Sequence, residues 1–321
     1  MATPIAGASE QEKFFPPPGT AQQARAVFIA TASLLSVLAL LLASAELLTR
    51  YFYPRMSRIE ARIASDQRQV GTLAATSEND PPSVLLLGNS LLLHALDYPK
   101  IQQDLAPIRV VRYVIENTEY LDWYYGLRKL FAEGVRPTKV VLVLNLGQTL
   151  SHEVLAESPY KLFRADDLLA VSRDADMDTT QTSNLLFAHW SAFYAGREGI
   201  RNYILNVTDP AYATELHRLA RVPSVLPSEE QLLEQSRTRL QTLDQLCRRY
   251  GVQFVLVVPP ALGTGSTILL KAGELQGVDV DAPVPLVSLG PEYFLADHFH
   301  LNEKGEALFT EALARDLRTR F

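Results

Sequence analysis

The surroundings of Ser90 in the sequence are those of a nucleophile. It follows the apolar run Val84–Leu87 and the pair Gly88-Asn89, and a second apolar run begins at Leu91. This pattern predicts a strand, a sharp turn and a helix. A hydroxyl at such a turn projects above the sheet, where the N–H groups of the turn and of the following helix can stabilise an oxyanion. The alternative is that Ser90 only caps a helix that begins near Leu92.

A base and a carboxylate that could activate this serine occur together in the segment DHFHLNEKG, residues 297–305. A serine hydroxyl needs a base to take its proton, and the base needs a carboxylate to orient it. Asp297 and His300 are three residues apart, so the carboxylate can accept from Nδ1 while Nε2 faces the serine. Asn302 is the predicted N-cap of the helix that follows. The alternatives are a surface histidine pair without a role and a metal site of Asp297, His298 and His300.

These two segments resemble the SGNH, or GDSL-like, hydrolase family. In that family the nucleophile lies in a Gly-Asp-Ser turn after the first strand, and an Asp-x-x-His motif lies near the C-terminus. The corresponding segments here are Gly88–Ser90, with Asn89 in place of the Asp, and Asp297–His300. The resemblance covers about residues 83–321 apart from one insertion. It implies that Ser90, His300 and Asp297 form a catalytic triad that uses neither a cofactor nor a metal.

The oxyanion motifs of the family are altered in this sequence. The family has a Gly after the second strand, and Asn117 takes that place; Asn tolerates positive φ, so its N–H can still point at an oxyanion. After the third strand the family has Gly-x-Asn-Asp, and Thr149 replaces the Asn of that motif. Gln148, Thr149 and Asn145 are the candidates for the missing donor. Because losing one donor can cost about 10²–10³ in rate, the change weighs against fast hydrolysis.

Other residues that could carry chemistry have simpler interpretations. His94 lies one helical turn after Ser90 and can approach the pocket mouth, but we expect it and His152 to be structural or exposed. The cluster Trp123–Tyr125 predicts helix packing, with a carbohydrate contact as the alternative.

Short apolar runs alternate with helical segments after residue 82. The predicted strands are Ser83–Leu87, Ile108–Ile115, Val140–Leu146, Phe254–Val258 and Pro285–Leu289, and the predicted helices are Leu121–Ala132, Glu229–Tyr250 and Asn302–Leu317. Runs that are apolar throughout are typical of strands buried on both faces of a parallel sheet. We therefore expect an α/β fold with a doubly wound, mostly parallel sheet, which the family resemblance makes a flavodoxin-like three-layer domain. Ligands bind such sheets beyond the carboxyl ends of the strands.

The segment from about 151 to 228 interrupts this alternation. It has no clear strand and is rich in Arg, Asp, Leu and aromatic residues. We interpret it as a mostly helical insertion near the same sheet edge. It is either a lid or substrate wall, or an insert that packs on the scaffold.

An apolar segment near the N-terminus predicts a membrane span. The 20 residues Ala26–Ala45 include no charged side chain, and at 1.5 Å each they match a hydrocarbon core of roughly 30 Å. We expect a disordered tail over 1–24, a transmembrane anchor over 26–48, a juxtamembrane linker over 49–82 and folded structure from Ser83. The sequence Ala43-Ser44-Ala45 leaves a cleaved signal peptide as the alternative.

The composition argues against nucleic-acid binding and excludes two kinds of cysteine chemistry. The formal net charge of -6 argues against a nucleic-acid-binding protein, which would carry a basic surplus. The single cysteine, Cys247, excludes an intramolecular disulfide and a cysteine-built metal site.

A membrane-tethered domain of this family resembles a cell-envelope arrangement in which it works beside a membrane-bound O-acyltransferase. By this resemblance, Ser90 takes an acyl group, with acetyl expected, and passes it to an envelope polysaccharide or wall polymer. The resemblance also implies a single-pass protein of the cytoplasmic membrane with its domain on the periplasmic or extracellular side. Five arginines between residues 50 and 68 favour the cytoplasmic side instead. The alternatives are an envelope esterase or deacylase, and a non-catalytic polymer-binding or scaffolding subunit.

Overall fold

The computed structural model describes residues 21–75, 80–208, 227–263, 265–286 and 289–321. The chain forms two units, Met1–Leu47 and Leu48–Phe321. The strands are β1 (Ser83–Gly88), β2 (Arg109–Val114), β3 (Lys139–Val143), β4 (Gln253–Val257) and β5 (Asp279–Asp281). The helices are α1 (Ala21–Met56), α2 (Arg58–Gly71), α3 (Ser90–Ala95), α4 (Tyr98–Asp104), α5 (Tyr120–Ala132), α6 (Leu146–Leu150), α7 (Ser158–Lys161), α8 (Leu168–Asp174), α9 (Thr179–Trp190), α10 (Ala192–Ala195), α11 (Arg197–Thr208), α12 (Glu229–Arg249), α13 (Ile268–Gln276) and α14 (Glu303–Thr319).

The five strands form one parallel sheet in the order β2-β1-β3-β4-β5. This is the strand order of flavodoxin-like folds, and it confirms the predicted doubly wound α/β fold. Gly88 at the end of β1 aligns with Val114 of β2 on one side and with Val143 of β3 on the other. The turns that follow these three strands therefore lie side by side at the carboxyl edge of the sheet.

Alternate residues of β1 enter two separate cores, one on each face of the sheet. Leu85 and Leu87 pack in a core that also contains Trp123 of α5 and Leu243 of α12. Val84 and Leu86 pack in the opposite core, which residues of α3, α4 and α14 complete. Burial on both faces explains why β1 is apolar throughout.

The fifth strand lies earlier in the chain than predicted. It is Asp279–Asp281, whereas only Leu289 of the predicted run Pro285–Leu289 forms bridges, with Leu262 and Gly263; residues 287–288 are outside the described part. The search for apolar runs missed β5 because this strand lies at the edge of the sheet and contains two aspartates. Arg320 at the end of α14 pairs with both of them.

Residues 58–75 are folded, although they were predicted to be part of a linker over 49–82. Ser57 caps α2 by accepting a hydrogen bond from the Glu60 N–H. Ile63, Val70 and the following Leu73 are buried in the core next to β2. The polar composition of α2 concealed a helix with one apolar face. The predicted tail over 1–24 lies outside the described residues except for 21–24, which are the start of α1.

The helix α1 contains one candidate membrane span, Gln23–Arg55. Its most apolar 18-residue window has a mean hydropathy of 2.5, and none of that window is buried. By length and composition this helix could be a single-pass anchor or a signal sequence.

The described residues of the insertion, 151–208 and 227–228, form helices α7 to α11 without a strand. Asp167, just before α8, forms an ion pair with Arg128 of α5 at 2.6 Å. Asp174, the last residue of α8, accepts a hydrogen bond from the Tyr125 hydroxyl at 2.6 Å. These contacts attach the insertion to the helix that follows the carboxyl end of β2.

The burial of α2 predicts a stability difference between two isoleucines of the same helix. Ile63 is 4% exposed and Ile59 is 52% exposed. We expect Ile63→Ala to lower the free energy of unfolding by about 2–5 kcal/mol, because it leaves a cavity in the core. The control Ile59→Ala should change it by less than about 0.5 kcal/mol. Urea unfolding of the full chain in detergent measures both, and equal stabilities of the two variants would contradict the packing of α2.

Candidate active site

The turn after β1 is held by Asn89, which is completely buried. Its Oδ1 accepts from the N–H of Leu91 at 3.0 Å, and its Nδ2 donates to the carbonyl of Thr118 at 2.8 Å. Asn89 is thus the N-cap of α3, and Ser90 is the first residue of that helix. The interpretation of Ser90 as a cap is wrong, and its hydroxyl is free to contact another element.

A glycine is required just before this turn. A Cβ at Gly88 would lie 2.9 Å from the Cβ of Leu92 and 3.1 Å from the carbonyl oxygen of Val143. The backbone of β1 therefore passes too close to α3 and β3 for any side chain at this position. This close approach positions Ser90 tightly above the end of the sheet.

Ser90, His300 and Asp297 form a continuous array of hydrogen bonds. The Ser90 Oγ is 2.9 Å from His300 Nε2, and His300 Nδ1 is 2.7 Å from Asp297 Oδ2. The other carboxylate oxygen of Asp297 accepts from the N–H groups of Phe299 and His300 at 2.9 and 3.0 Å. Burial acts to raise the pKa of Asp297, but the hydrogen bonds from His300 and Phe299 outweigh it and hold that pKa well below its usual range. Asp297 is therefore ionised and can orient the imidazole.

A backbone hydrogen bond and the side chain of Asn302 hold the loop that carries His300. The Leu295 N–H donates to the His300 carbonyl at 2.8 Å, and His298 adopts a left-handed conformation with φ of 58°. Asn302 accepts from the N–H groups of Lys304 and Gly305, as its predicted role of N-cap requires. Its Nδ2 also donates to the carbonyls of Glu292 and Phe294.

This arrangement disfavours the alternative metal site of Asp297, His298 and His300. Both ring nitrogens of His300 already have hydrogen-bond partners, one on Ser90 and one on Asp297. A metal ion bound through either nitrogen would have to break the array.

His94 packs against the ring of His300. The ring centroids are 4.7 Å apart, and Phe299 contacts His300 edge-on with centroids 5.0 Å apart. Partial desolvation of the ring lowers the pKa of His94, and the nearby His300 lowers it further. His94 is exposed, as expected, but it also contacts the proposed base.

Asn117 lies beside the serine turn with the backbone conformation that the sequence predicts. Its φ is 59°, and the next residue, Thr118, receives the hydrogen bond from Asn89. The Thr118 hydroxyl donates to the Ile115 carbonyl at 2.6 Å and closes the turn. Among the described residues, the N–H groups of Ser90 and Asn117 donate to no protein acceptor. Both are therefore available to an oxyanion.

The three side-chain candidates after β3 form the cap of α6. Asn145 Oδ1 accepts from the Gln148 N–H at 2.9 Å, and Gln148 Oε1 accepts from the Asn145 N–H at 3.1 Å. The Thr149 hydroxyl is completely buried and donates to the Asn145 carbonyl. Thr149 is thus excluded as an oxyanion donor, whereas the amide nitrogens of Asn145 and Gln148 are not used by the cap.

The geometry predicts how stability depends on pH near Asp297. A carboxyl with a depressed folded-state pKa stabilises the fold above its unfolded pKa of about 3.9, and this stabilisation is lost as the pH falls through the folded-state value. The difference in unfolding free energy between the wild type and Asp297→Asn should therefore be constant above about pH 5 and shrink below about pH 4. Urea unfolding as a function of pH measures it, and a difference that persists unchanged to pH 2 would contradict the assignment.

Comparisons with solved structures find weak similarity. The structure of TesA is 14% identical with a TM-score of 0.39, over 74% of this chain and 99% of that chain. A GDSL-like lipase from Bacteroides thetaiotaomicron VPI-5482 is 9% identical with a TM-score of 0.39, over 81% of this chain and 100% of that chain.

No protein-family model and no curated protein matches the sequence. Scores and identities this low carry no functional argument, so the assignment of the site rests on its own geometry. That geometry is a serine hydroxyl, an imidazole and a carboxylate joined in order by hydrogen bonds at the carboxyl edge of a parallel sheet.

Proposed function

We propose that this chain is a serine enzyme that transfers acyl groups through an ester on Ser90. The observation that supports the proposal best is the array Ser90–His300–Asp297, in which each bond is 2.9 Å or shorter. A scaffolding subunit has no need of a histidine held between a hydroxyl and an ionised carboxylate. The array therefore favours catalysis over the non-catalytic alternative.

The proposed reaction has two steps that share one base. His300 Nε2 takes the proton of Ser90 as Oγ attacks the acyl carbonyl, and the N–H groups of Ser90 and Asn117 stabilise the oxyanion. The leaving group takes the proton from His300, which leaves an acyl ester on Ser90. His300 then deprotonates an acceptor hydroxyl, which attacks the ester, and the proton returns to Ser90 Oγ.

For the acceptor we propose a hydroxyl group of an envelope polysaccharide, with acetyl as the acyl group. The array lies at the surface, since the side chains of Asp297 and His300 are 47% and 21% exposed. An open site suits a polymer chain that is too large to be enclosed. The same openness admits water, so an envelope esterase or deacylase is the second candidate.

The proposed setting is the cytoplasmic membrane, with α1 as a single-pass anchor and the second unit on the periplasmic or extracellular side. The apolar span Gln23–Arg55 supports an anchor. A membrane-bound O-acyltransferase-like protein is the proposed partner, because an acyl donor must be supplied across the bilayer to a site on that side.

The acyl ester on Ser90 is directly measurable. The full chain in detergent is incubated with p-nitrophenyl acetate and its intact mass is recorded, together with Ser90→Ala and with the exposed-serine control Ser266→Ala. We expect one acetyl group on the wild type and on Ser266→Ala but none on Ser90→Ala, because the other serine lacks the array.

The fate of that ester separates the candidates. An ester that persists in water and is removed by a saccharide supports transfer, whereas rapid turnover in water supports the esterase. Folded protein that shows neither an adduct nor turnover would contradict the proposed chemistry.

The proposed orientation predicts how a surface cysteine reacts. Cys247 is buried, so labelling of a cysteine introduced at the exposed Arg249 reports the location of the second unit without interference from Cys247. In cells with a permeabilised outer envelope, we expect a membrane-impermeant maleimide to label Arg249→Cys in the otherwise native chain. Protection until the cytoplasmic membrane is lysed would place this unit in the cytoplasm.

A further inference from the structure

A cavity of about 350 Å³ lies within the second unit beside the turn that carries Asn117. Its walls are the last turn of α1, the first turns of α2, the turn after β2, and the insertion. Cavities of this size are typical of small-molecule sites. The sequence-based interpretation of the insertion as a substrate wall agrees with this placement.

The cavity and the proposed catalytic array are connected through the turn after β2. Asn117 lines the cavity, and the next residue, Thr118, accepts the hydrogen bond from Asn89 that holds the serine turn. Glu116, also in the lining, is close enough for its charge to act on His94, whose ring packs against His300. A ligand in the cavity would therefore contact the turn that holds Asn89, the residue before Ser90.

One part of the polar lining is already paired within the protein. Lys161 bridges two carboxylates, with its Nζ 2.7 Å from Glu60 Oε1 and also bonded to Glu157. Glu116 forms an ion pair with Arg62 at 2.6 Å. Burial alone would lower the pKa of Lys161, but Glu157 and Glu60 raise it. These contacts hold the paired groups in place.

A second part of the polar lining has unused hydrogen-bonding capacity. Ser57 accepts the hydrogen bond that caps α2, which leaves its O–H to donate. The side chains of Asn117 and Glu198 have no partner among the described residues. Ile63 and Ile115 supply an apolar floor. A hydroxyl donor, an amide and a carboxylate beside an apolar surface suit a ring that has hydroxyls on its edge and C–H groups on its face.

The charge of the lining restricts the ligand further. Four glutamates, Glu60, Glu116, Glu157 and Glu198, line the cavity together with one lysine, Lys161. The lining is therefore net acidic, and it disfavours an anionic ligand such as a uronic acid or an acyl phosphate. Neutral hydroxylated ligands and ligands with an amine are favoured.

We propose that this cavity is the acceptor site and that it binds one neutral or amino-sugar unit of the polysaccharide. The identification of the bound sugar as the acceptor rests on the proposed function. The binding of a saccharide is argued from the lining of the cavity alone. The sugar unit would lie between the first turns of α2 and the insertion, with the hydroxyl to be acylated directed past Asn117 towards Ser90. The acidic lining would make the site select acceptors that carry no negative charge.

The test measures binding without catalysis. The full chain in detergent, as the wild type and as Ser90→Ala, is titrated with methyl glucoside, methyl glucosaminide and methyl glucuronide. Binding is followed by saturation-transfer NMR. We expect the first two probes to bind and the glucuronide to bind at least about tenfold more weakly, because its carboxylate meets the acidic lining. Ser90→Ala should bind as the wild type does.

Two variants locate the binding, and one serves as a control. Ala156→Trp fills the cavity and should abolish binding, while Glu198→Gln removes a charge-assisted hydrogen bond and should weaken Kd about tenfold. Glu153→Gln removes an exposed glutamate of the same insertion that does not line the cavity, and it should bind as the wild type does. Thermal unfolding checks that each variant is folded. If Ala156→Trp is not folded, the binding measured for Glu198→Gln decides the test.

The possible outcomes separate this proposal from the proposed function. Binding that is unchanged in Ala156→Trp and Glu198→Gln, preference for the glucuronide, or absence of binding by all three probes would overturn the acceptor site. An acetyl adduct on Ser90 without saccharide binding would overturn only this inference. Saccharide binding at the cavity without an acetyl adduct would support the site as a saccharide site and overturn only the proposed acyl transfer.

Discussion

The site depends on one hydrogen bond between residues that are 210 positions apart, Ser90 and His300. Their side chains meet because α14, which follows the His300 loop, packs against α3, which begins at Ser90. Phe309 and Leu313 of α14 are completely buried in the core on that face of the sheet. The 2.9 Å contact is thus a result of hydrophobic packing between the first and the last helices of the sheet domain, and the array would be lost with that packing.

The turns after β2 and β3 flank the serine because β1 lies between these two strands. The chain runs from β1 outward to β2 and then returns past β1 to β3, so the turns after the three strands lie side by side at the end of β1. Asn89 connects the first of these turns to the serine through its buried amide. The insertion and α2 line the cavity on the side of Asn117. The two elements that interrupt or precede the α/β alternation are thus the ones that shape this cavity.

The sequence was most informative where a few neighbouring residues determine the structure. The turn at Ser90, the pair Asp297 and His300, and the left-handed Asn117 are local features of this kind. The helix α2 was missed because its polar composition resembles a linker, although Ser57 and Glu60 have the spacing of a capping box. The same spacing at Asn145 and Gln148 could have shown that these residues cap a helix. The cavity could not be predicted, since its walls come from four separate segments.

The amide of Asn89 carries no ionisable proton, and this has a consequence for how the protein tolerates acid. A carboxyl group in the same buried position would change its charge and its donor capacity as the medium acidified, and the turn that presents the serine would change with it. The amide keeps both of its hydrogen bonds regardless of pH. The turn that presents the serine is therefore held by groups whose charge does not change as the medium acidifies.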